Sequence, residues 1–372
     1  MSSALDKRRP MKIAHVTPAY FSDASLIGGG ERYVGNVVSA IRVASEKHAR
    51  SLTQEVICIG STASSCDIDG IRHTFLRNDS PSAHAMAAIP DALWGELSRF
   101  DVVHVYQSLT YFGAFAGCLA KDLGKKLVYT DLGGGQNPLM LSHGGLHIAD
   151  GVISLSRFAN DLLGATFSGP KQILIGPIDT DYFKPDFNVR RNRKSILCVG
   201  RLLPHKGIDR IIRALPEGFE LTVVGRPYNA DYLDLLKSLA KGKLINFKTN
   251  ATDADLVRLY SEAGAFVHAA THIDCYGNRI RNPELMGLST LEALACGAPV
   301  SVANSASLPE LAPTGPFFRT FNDEAELHQQ LLDLEAGIWG DAWAQAQATI
   351  FAKVNYSLES VGLKFIEFYE SI

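Results

Sequence analysis

Short apolar runs alternate with stretches of helical periodicity along this chain of 372 residues. In the first half, strand-like runs fall at 12–17, 55–59, 101–106, 127–131, 152–155 and 173–175. In the second they fall at 195–199, 221–224, 244–247, 265–268 and 299–303. Such alternation predicts βαβ units and parallel sheets, and the length accommodates two domains of ordinary size. A polar break from Asp186 to Lys194, made basic by Arg190, Arg191, Arg193 and Lys194, reads as a solvated linker. The expected organisation is a first domain over 1–187, a second over 188–352 and a C-terminal helix over 353–372. Val361, Phe365 and Phe368 recur at helical spacing in that last segment. No internal repeat of solenoid period is visible.

Two strand-to-helix junctions carry candidate chemistry. In the first, the apolar run 195–199 meets Gly200 and Arg201, then Lys206 and Gly207, before a helical pattern from Ile208 to Leu215. A strand, a glycine turn, two cations five positions apart and a helix make an anion-binding junction. It lacks the Gly-Lys-Ser/Thr of a Walker loop. In the second, Glu284 and Glu292 stand eight positions apart around Gly287, and Leu288, Leu291 and Leu294 share one face of a helix closed by Gly297. The amides of Met286, Gly287, Leu288 and Ser289 at that helix start would meet phosphate. In a continuous helix the two carboxylates would lie ~80° apart around the axis and ~12 Å along it. A loop that folds back lets both reach one ligand. Carboxylates accept from hydroxyls, so an anion site flanked by two of them suits a sugar nucleotide.

Taken together, the two motifs resemble the family 4 retaining glycosyltransferases of the GT-B fold. That family carries Gly-Arg-x-x-x-x-Lys-Gly and a Glu-x7-Glu segment ending in Glu-Ala-x-Ala-Cys/Ala-Gly-x-Pro-Val. Residues 292–300 read Glu-Ala-Leu-Ala-Cys-Gly-Ala-Pro-Val. Pro309 and Glu310 follow, without the glycine the family places two residues before that proline. The N-terminal half is similar more loosely, through Gly28–Glu31, Asp101–Val105, Ala149–Ser156 and Ile178–Pro185.

The resemblance implies an α/β architecture of two Rossmann-like domains facing across a cleft, with the last helix crossing back to the N-terminal domain. It implies a nucleoside-diphosphate sugar (UDP or GDP) held by the second domain and a glycan or polyprenyl-linked acceptor on the first. It implies no cofactor and no metal. Arg201 and Lys206 would stabilise the leaving phosphate, Glu284 would contact the donor sugar and Glu292 the ribose. In the first half, Gly29 and Gly30 follow the first strand and are expected to line the donor site. A second glycine run, 133–135, follows the strand ending at Asp131. The family often has a histidine at the end of that strand, and Asp131 stands in its place as the candidate catalytic residue. His104 reads as a buried strand histidine; His143 and His147 lie in a loop-like stretch. Lys206→Ala is expected to lower turnover by on the order of 10²-fold and to leave folding little affected.

Composition narrows the classes further. A net charge of −3 gives no general attraction to nucleic acid. The six cysteines occur singly, without a Cys-x-x-Cys, and read as reduced thiols. No apolar run approaches the ~20 residues of a membrane span, so a cytoplasmic enzyme is expected. A helix over 31–50 interleaves Arg32, Arg42, Lys47, His48 and Arg50 with Val34, Val37, Val38, Ile41 and Val43, a pattern compatible with peripheral contact to an anionic bilayer. Two other functions compete with transfer: a sugar-nucleotide epimerase, and a catalytically silent sugar-nucleotide-binding partner subunit.

Overall fold

The computed structural model describes residues 9–19, 28–78, 85–133, 145–164 and 167–372. The chain forms two compact units, Met1–Pro177 with Leu358–Ile372, and Ile178–Ser357. The contacts divide there, whereas the sequence suggests breaks at 187/188 and 352/353.

The first unit holds β1 (Met11–Thr17), β2 (Leu52–Gly60), β3 (Ser64–Ile68), β4 (Ile71–Arg77), β5 (Val102–Tyr106), β6 (Lys126–Thr130), β7 (Gly151–Ser154) and β8 (Lys171–Ile173). They form one sheet in the order β3-β4-β2-β1-β5-β6-β7-β8. Its pairings are parallel except for β3 against β4. Helices α1 (Gly29–Lys47), α2 (Leu93–Leu97), α3 (Tyr111–Asp122) and α4 (Arg157–Leu163) join them. The central strands β5, β6 and β7 are buried except for Lys126 at the start of β6, as expected of a parallel sheet covered on both faces. The sequence pattern misses β3 and β4: every residue of β3 is exposed, so no apolar period marks it, and β4 mixes apolar with charged positions.

The C-terminal helix (Leu358–Ser371) packs on α1 within the first unit. Gly362 faces the main chain of Ala40 so closely that a Cβ would strike its carbonyl. Lys47 pairs with Glu359 at 2.6 Å and Arg50 with Glu370 at 3.1 Å. Val34, Val37, Val38 and Ile41 of α1 are buried. The apolar stripe that suggested bilayer contact is therefore consumed by packing, and two of its cations are paired with the C-terminal helix. No helix among the described residues is long and apolar enough to cross a membrane.

His104 is buried, as its sequence setting predicts, and belongs to a polar chain at the centre of this unit. Gln54 donates its amide to the carbonyl of Val38, so its Oε1 must accept from His15 Nε2 at 2.9 Å. His15 Nδ1 then accepts from the Tyr106 hydroxyl at 2.9 Å. Thr130 donates to the carbonyl of Ile153, so it accepts from His104 Nε2 at 2.8 Å, and His104 Nδ1 accepts from Tyr369 at 2.6 Å. Both rings are neutral. Burial pulls His15 down to about 4, and burial and His15 hold His104 well below the ordinary range.

The second unit holds β9 (Asn192–Val199), β10 (Glu220–Val224), β11 (Leu244–Lys248), β12 (Ala263–His268), β13 (Val300–Ala303) and β14 (Phe318–Phe321), in the order β11-β10-β9-β12-β13-β14. All these pairings are parallel. Helices α5 (Ile208–Ala214), α6 (Ala230–Leu239), α7 (Asp253–Glu262), α8 (Leu288–Ala295), α9 (Glu324–Glu335) and α10 (Ala342–Tyr356) surround the sheet.

The basic stretch that leads into and begins β9 is not a solvated linker. Arg191 reaches the carbonyls of Tyr260, Ala263 and Cys296, and Arg193 donates to the carbonyl of Leu334 at 2.9 Å. Lys194 pairs with Glu335 at 2.8 Å. Three of its four cations thus bind the ends of neighbouring elements. Their charge reads as solvated only while the partners, 69 to 141 residues away, are unknown.

Candidate functional site

Strand order in the second sheet reverses between β9 and β12. Ligands of open parallel sheets bind beyond the carboxyl ends of the strands at such a point. The loops after β9 and β12 meet there. A short 3₁₀ turn, Pro204–Lys206, carries the lysine, and Gly207 follows with φ 64°. A Cβ at Gly207 would run into the carbonyl of Ala269, just beyond β12. The amide of Thr271 donates to the carbonyl of His205 at 2.9 Å. The cation-bearing loop is thereby held against its neighbour.

Lys206 Nζ donates to the carbonyl of Pro283 and to Glu284 Oε2, each at 3.0 Å. Glu284 Oε1 accepts from the amides of Leu285, Met286 and Gly287 at 3.1, 3.4 and 3.1 Å. His268, at the end of β12, places Nε2 3.1 Å from Glu284 Oε2 and Nδ1 3.0 Å from Thr290 Oγ1. A carboxylate only accepts, so Nε2 carries the proton, and in the neutral ring the Thr290 hydroxyl donates to Nδ1. Burial raises the Glu284 carboxyl, but Lys206 and His268 outweigh that and hold it well below the ordinary range.

Lys206 and Glu284 were expected to act separately, one on phosphate and one on sugar. The structure joins them in one ion pair whose side chains are 13% and 16% exposed. Lys206 is therefore also a packing partner, which weighs against the expectation that its loss leaves folding little affected. The carboxylate has about four lone-pair positions and already faces five donors. A sugar hydroxyl at Glu284 has to replace one of them. Of the four amides expected to meet phosphate, Met286 and Gly287 already turn to Glu284; those of Leu288 and Ser289 are not engaged by it. The Ser289 hydroxyl donates to the carbonyl of Val199 at 3.1 Å, tying the first turn of α8 to the end of β9.

Gly287 has φ 86°, with Leu308 and Leu311 packed against it. Ser307 occupies the position where the family motif has glycine. It is buried, and its hydroxyl donates to the carbonyl of Glu284 at 3.2 Å. The departure from the motif therefore serves the same loop.

Arg201 is exposed, with its guanidinium 5.9 Å from the centre of the Tyr228 ring. Burial, then Lys206 and Arg201, pull His205 down to about 4, so it is neutral at pH 7 and the cationic charge of this loop lies on Arg201 and Lys206. Glu292, expected at a ribose, is only 3% exposed and accepts from the Tyr260 hydroxyl at 3.0 Å. In this structure it links α8 to α7. Asp274 accepts from the amides of Tyr276 and Asn278, each at 2.9 Å, and shapes its own loop. No group of three His, Cys, Asp or Glu side chains suited to a metal occurs among the described residues.

The first sheet reverses between β1 and β5. Among the described residues nothing lies within 4 Å of a Cβ placed at Gly29, the first residue of α1, and one at Gly30 would lie against Gln107 and Leu132. The start of α1 thus adjoins the ends of β5 and β6. Asp131, beyond β6, accepts from the amide of Gly133 at 3.2 Å, and burial pushes its carboxyl up to about 6. Gln107, buried with φ 59°, was not singled out by sequence. Neither was His268: alone on an apolar strand, its only signal is a polar residue at the strand end. His147 is exposed on a 3₁₀ turn; His143, Gly134 and Gly135 lie outside the described residues.

Residues 179–336 match the family model described as glycosyl transferases group 1. A GDP-mannose-dependent alpha-(1-6)-phosphatidylinositol monomannoside mannosyltransferase of Mycolicibacterium smegmatis is 30% identical over 190 residues, 45% of this chain and 47% of that protein. Its counterpart in Mycobacterium tuberculosis H37Rv is 30% identical over 186 residues, 43% of this chain and 46% of that protein. The chain spans about half the length of these curated relatives. Among solved structures, sucrose-phosphate synthase from Thermosynechococcus elongatus superposes with a TM-score of 0.74 at 16% identity, covering 97% of this chain and 98% of that one. Anabaena HepE, solved in complex with UDP, gives 0.69 at 16% identity, over 97% of this chain and 100% of that one. The chain therefore has the GT-B fold, and residues 179–336 of its second unit resemble the glycosyl transferases group 1 family, whose model they match.

Proposed function

We propose that this protein transfers a sugar from a nucleoside-diphosphate donor to a hydroxyl of a glycan or lipid-linked acceptor, with retention of anomeric configuration. The observation that carries the reading is that Lys206, on the loop after β9, meets the loop leading into α8 at the β9/β12 switch point, with the exposed Arg201 on the same β9 loop. Departure of a nucleoside diphosphate builds negative charge on the leaving oxygen. Cations and amides already in place there stabilise the transition state more than the ground state. Side chains then do the work a metal would do, and turnover should survive EDTA. Loss of activity on chelation, restored by magnesium or manganese, would contradict that part of the reading.

The similar mannosyltransferases are named as GDP-mannose-dependent, and HepE was solved with UDP. GDP-mannose is therefore the first donor to test and UDP-glucose the second. Gly29 and Gly30 of the first unit are assigned to the donor site and Asp131 to catalysis; burial pushes the Asp131 carboxyl up to about 6, so it changes charge near neutrality. A thermal-shift screen across nucleoside diphosphates, followed by donor hydrolysis, tests the reading. A transferase binds one diphosphate and slowly releases free sugar. A new sugar nucleotide would identify an epimerase, and binding without either product a silent subunit.

A further inference from the structure

We infer that His268, braced by Thr290, is a positioning residue that fixes the Glu284 carboxylate between Lys206 and the start of α8. The inference rests on the proposed function for its catalytic consequence and on geometry alone for its structural one. His268 is the last residue of β12 and Thr290 lies in the first turn of α8. The imidazole is 7% exposed and spans the two elements. Both ring nitrogens have partners at about hydrogen-bond length, 3.1 Å to Glu284 and 3.0 Å to Thr290. A ring held at both nitrogens can neither flip nor change tautomer without breaking a bond.

Direction follows from donor count. Oε1 of Glu284 is set by main-chain amides, which leave rotation about the last side-chain bond as the remaining freedom. Oε2 faces Lys206 and His268 from two sides. Lysine is a point charge on a flexible stem and tolerates many geometries. The imidazole N–H is fixed in direction by Thr290, so it sets the carboxylate plane. Without His268, Glu284 follows Lys206, and the cation assigned to the leaving phosphate is drawn toward its own counter-ion. Misplacement of a positioned group by about 1 Å can cost up to 10²-fold in rate.

Four variants and two readouts test this. In wild-type protein labelled with ¹⁵N-histidine, His268 should appear as the Nε2–H tautomer with a hydrogen-bonded, downfield proton that shifts in Glu284→Gln. That readout needs no donor, so it stands even where the proposed transfer activity fails. With a donor that turns over, His268→Ala should lower kcat about tenfold or more and change the donor KM less than threefold. His268→Gln, which keeps an N–H donor, should restore most of kcat, and Thr290→Val should fall between. An Nδ1–H tautomer would overturn the inference. So would unchanged kcat in His268→Ala, or no rescue by a His268→Gln protein as stable as wild type.

Discussion

Lys206→Ala tests two roles at once. The ammonium leaves, and Glu284, 16% exposed, keeps His268 and three main-chain amides but no cation. Removing one partner of a fully buried ion pair costs 3–5 kcal/mol, roughly. Glu284 retains donors and some solvent, which lowers the expected cost to about 2 kcal/mol. In a unit of this size that corresponds to a fall in Tm of roughly 4–8 °C. Calorimetry of wild type, Lys206→Ala, Glu284→Gln and the double variant forms a thermodynamic cycle, with a coupling of about 1–3 kcal/mol expected between the two side chains. The pH dependence supplies a sign. The folded carboxyl lies below its ordinary value of 4.5, so its contribution is present above that pH and is lost as pH falls through the folded value. The variant removes this contribution, so the gap between wild type and Lys206→Ala should be widest near pH 7 and narrow below about 4.5. Turnover should fall by on the order of 10²-fold or more even at temperatures where the variant is fully folded. A stability change under about 0.5 kcal/mol, or a gap that widens on acidification, would refute the ion-pair argument. Normal turnover would remove Lys206 from the chemistry.

Three further outcomes follow from other parts of the molecule. Arg201→Ala should weaken nucleoside-diphosphate binding about tenfold, the loss of one charge-assisted contact, with Tm unchanged because the side chain is exposed; titration calorimetry checks it. Gly207→Ala places a Cβ against the Ala269 carbonyl at φ 64°, and should cost more than about 2 kcal/mol in a urea melt, with diphosphate binding lost as the cation loop shifts. Acidification should destabilise the first unit: His15 titrates at about 4 when folded and 6.5 otherwise, so the unfolded state takes up the proton first and stability falls as pH drops from 6.5 toward 4. The loss from His15 is about 2 kcal/mol at pH 5, and His104 adds in the same direction. Asp131, raised to about 6, acts oppositely, so Asp131→Asn should steepen the acid loss seen by denaturant titration; a shallower slope would refute the assignment.

The sequence by itself determined the strand-and-helix alternation, the parallel sheets and the two junctions that carry charge. It could do so because those signals are local. A strand buried on both faces is apolar throughout, a glycine turn is written in adjacent residues, and Arg201, Lys206, Glu284 and Glu292 belong to short motifs. The same locality explains the misses. β3 has no buried face, and β4 carries charge among its apolar positions, so neither shows a clear period. Arg191 and Arg193 looked solvated because the carbonyls they bind come from distant elements. The sequence left the valines of α1 open to either a domain core or a bilayer, because the helix that packs on α1 begins only at Leu358. Tertiary structure alone decided that Glu284 faces Lys206, that Glu292 turns inward to Tyr260, and that His268 reaches both Glu284 and Thr290. A motif fixes which groups are present. Their pairing depends on how strands 60 or more residues apart lie side by side in the sheet, and that distance in sequence leaves no periodic trace.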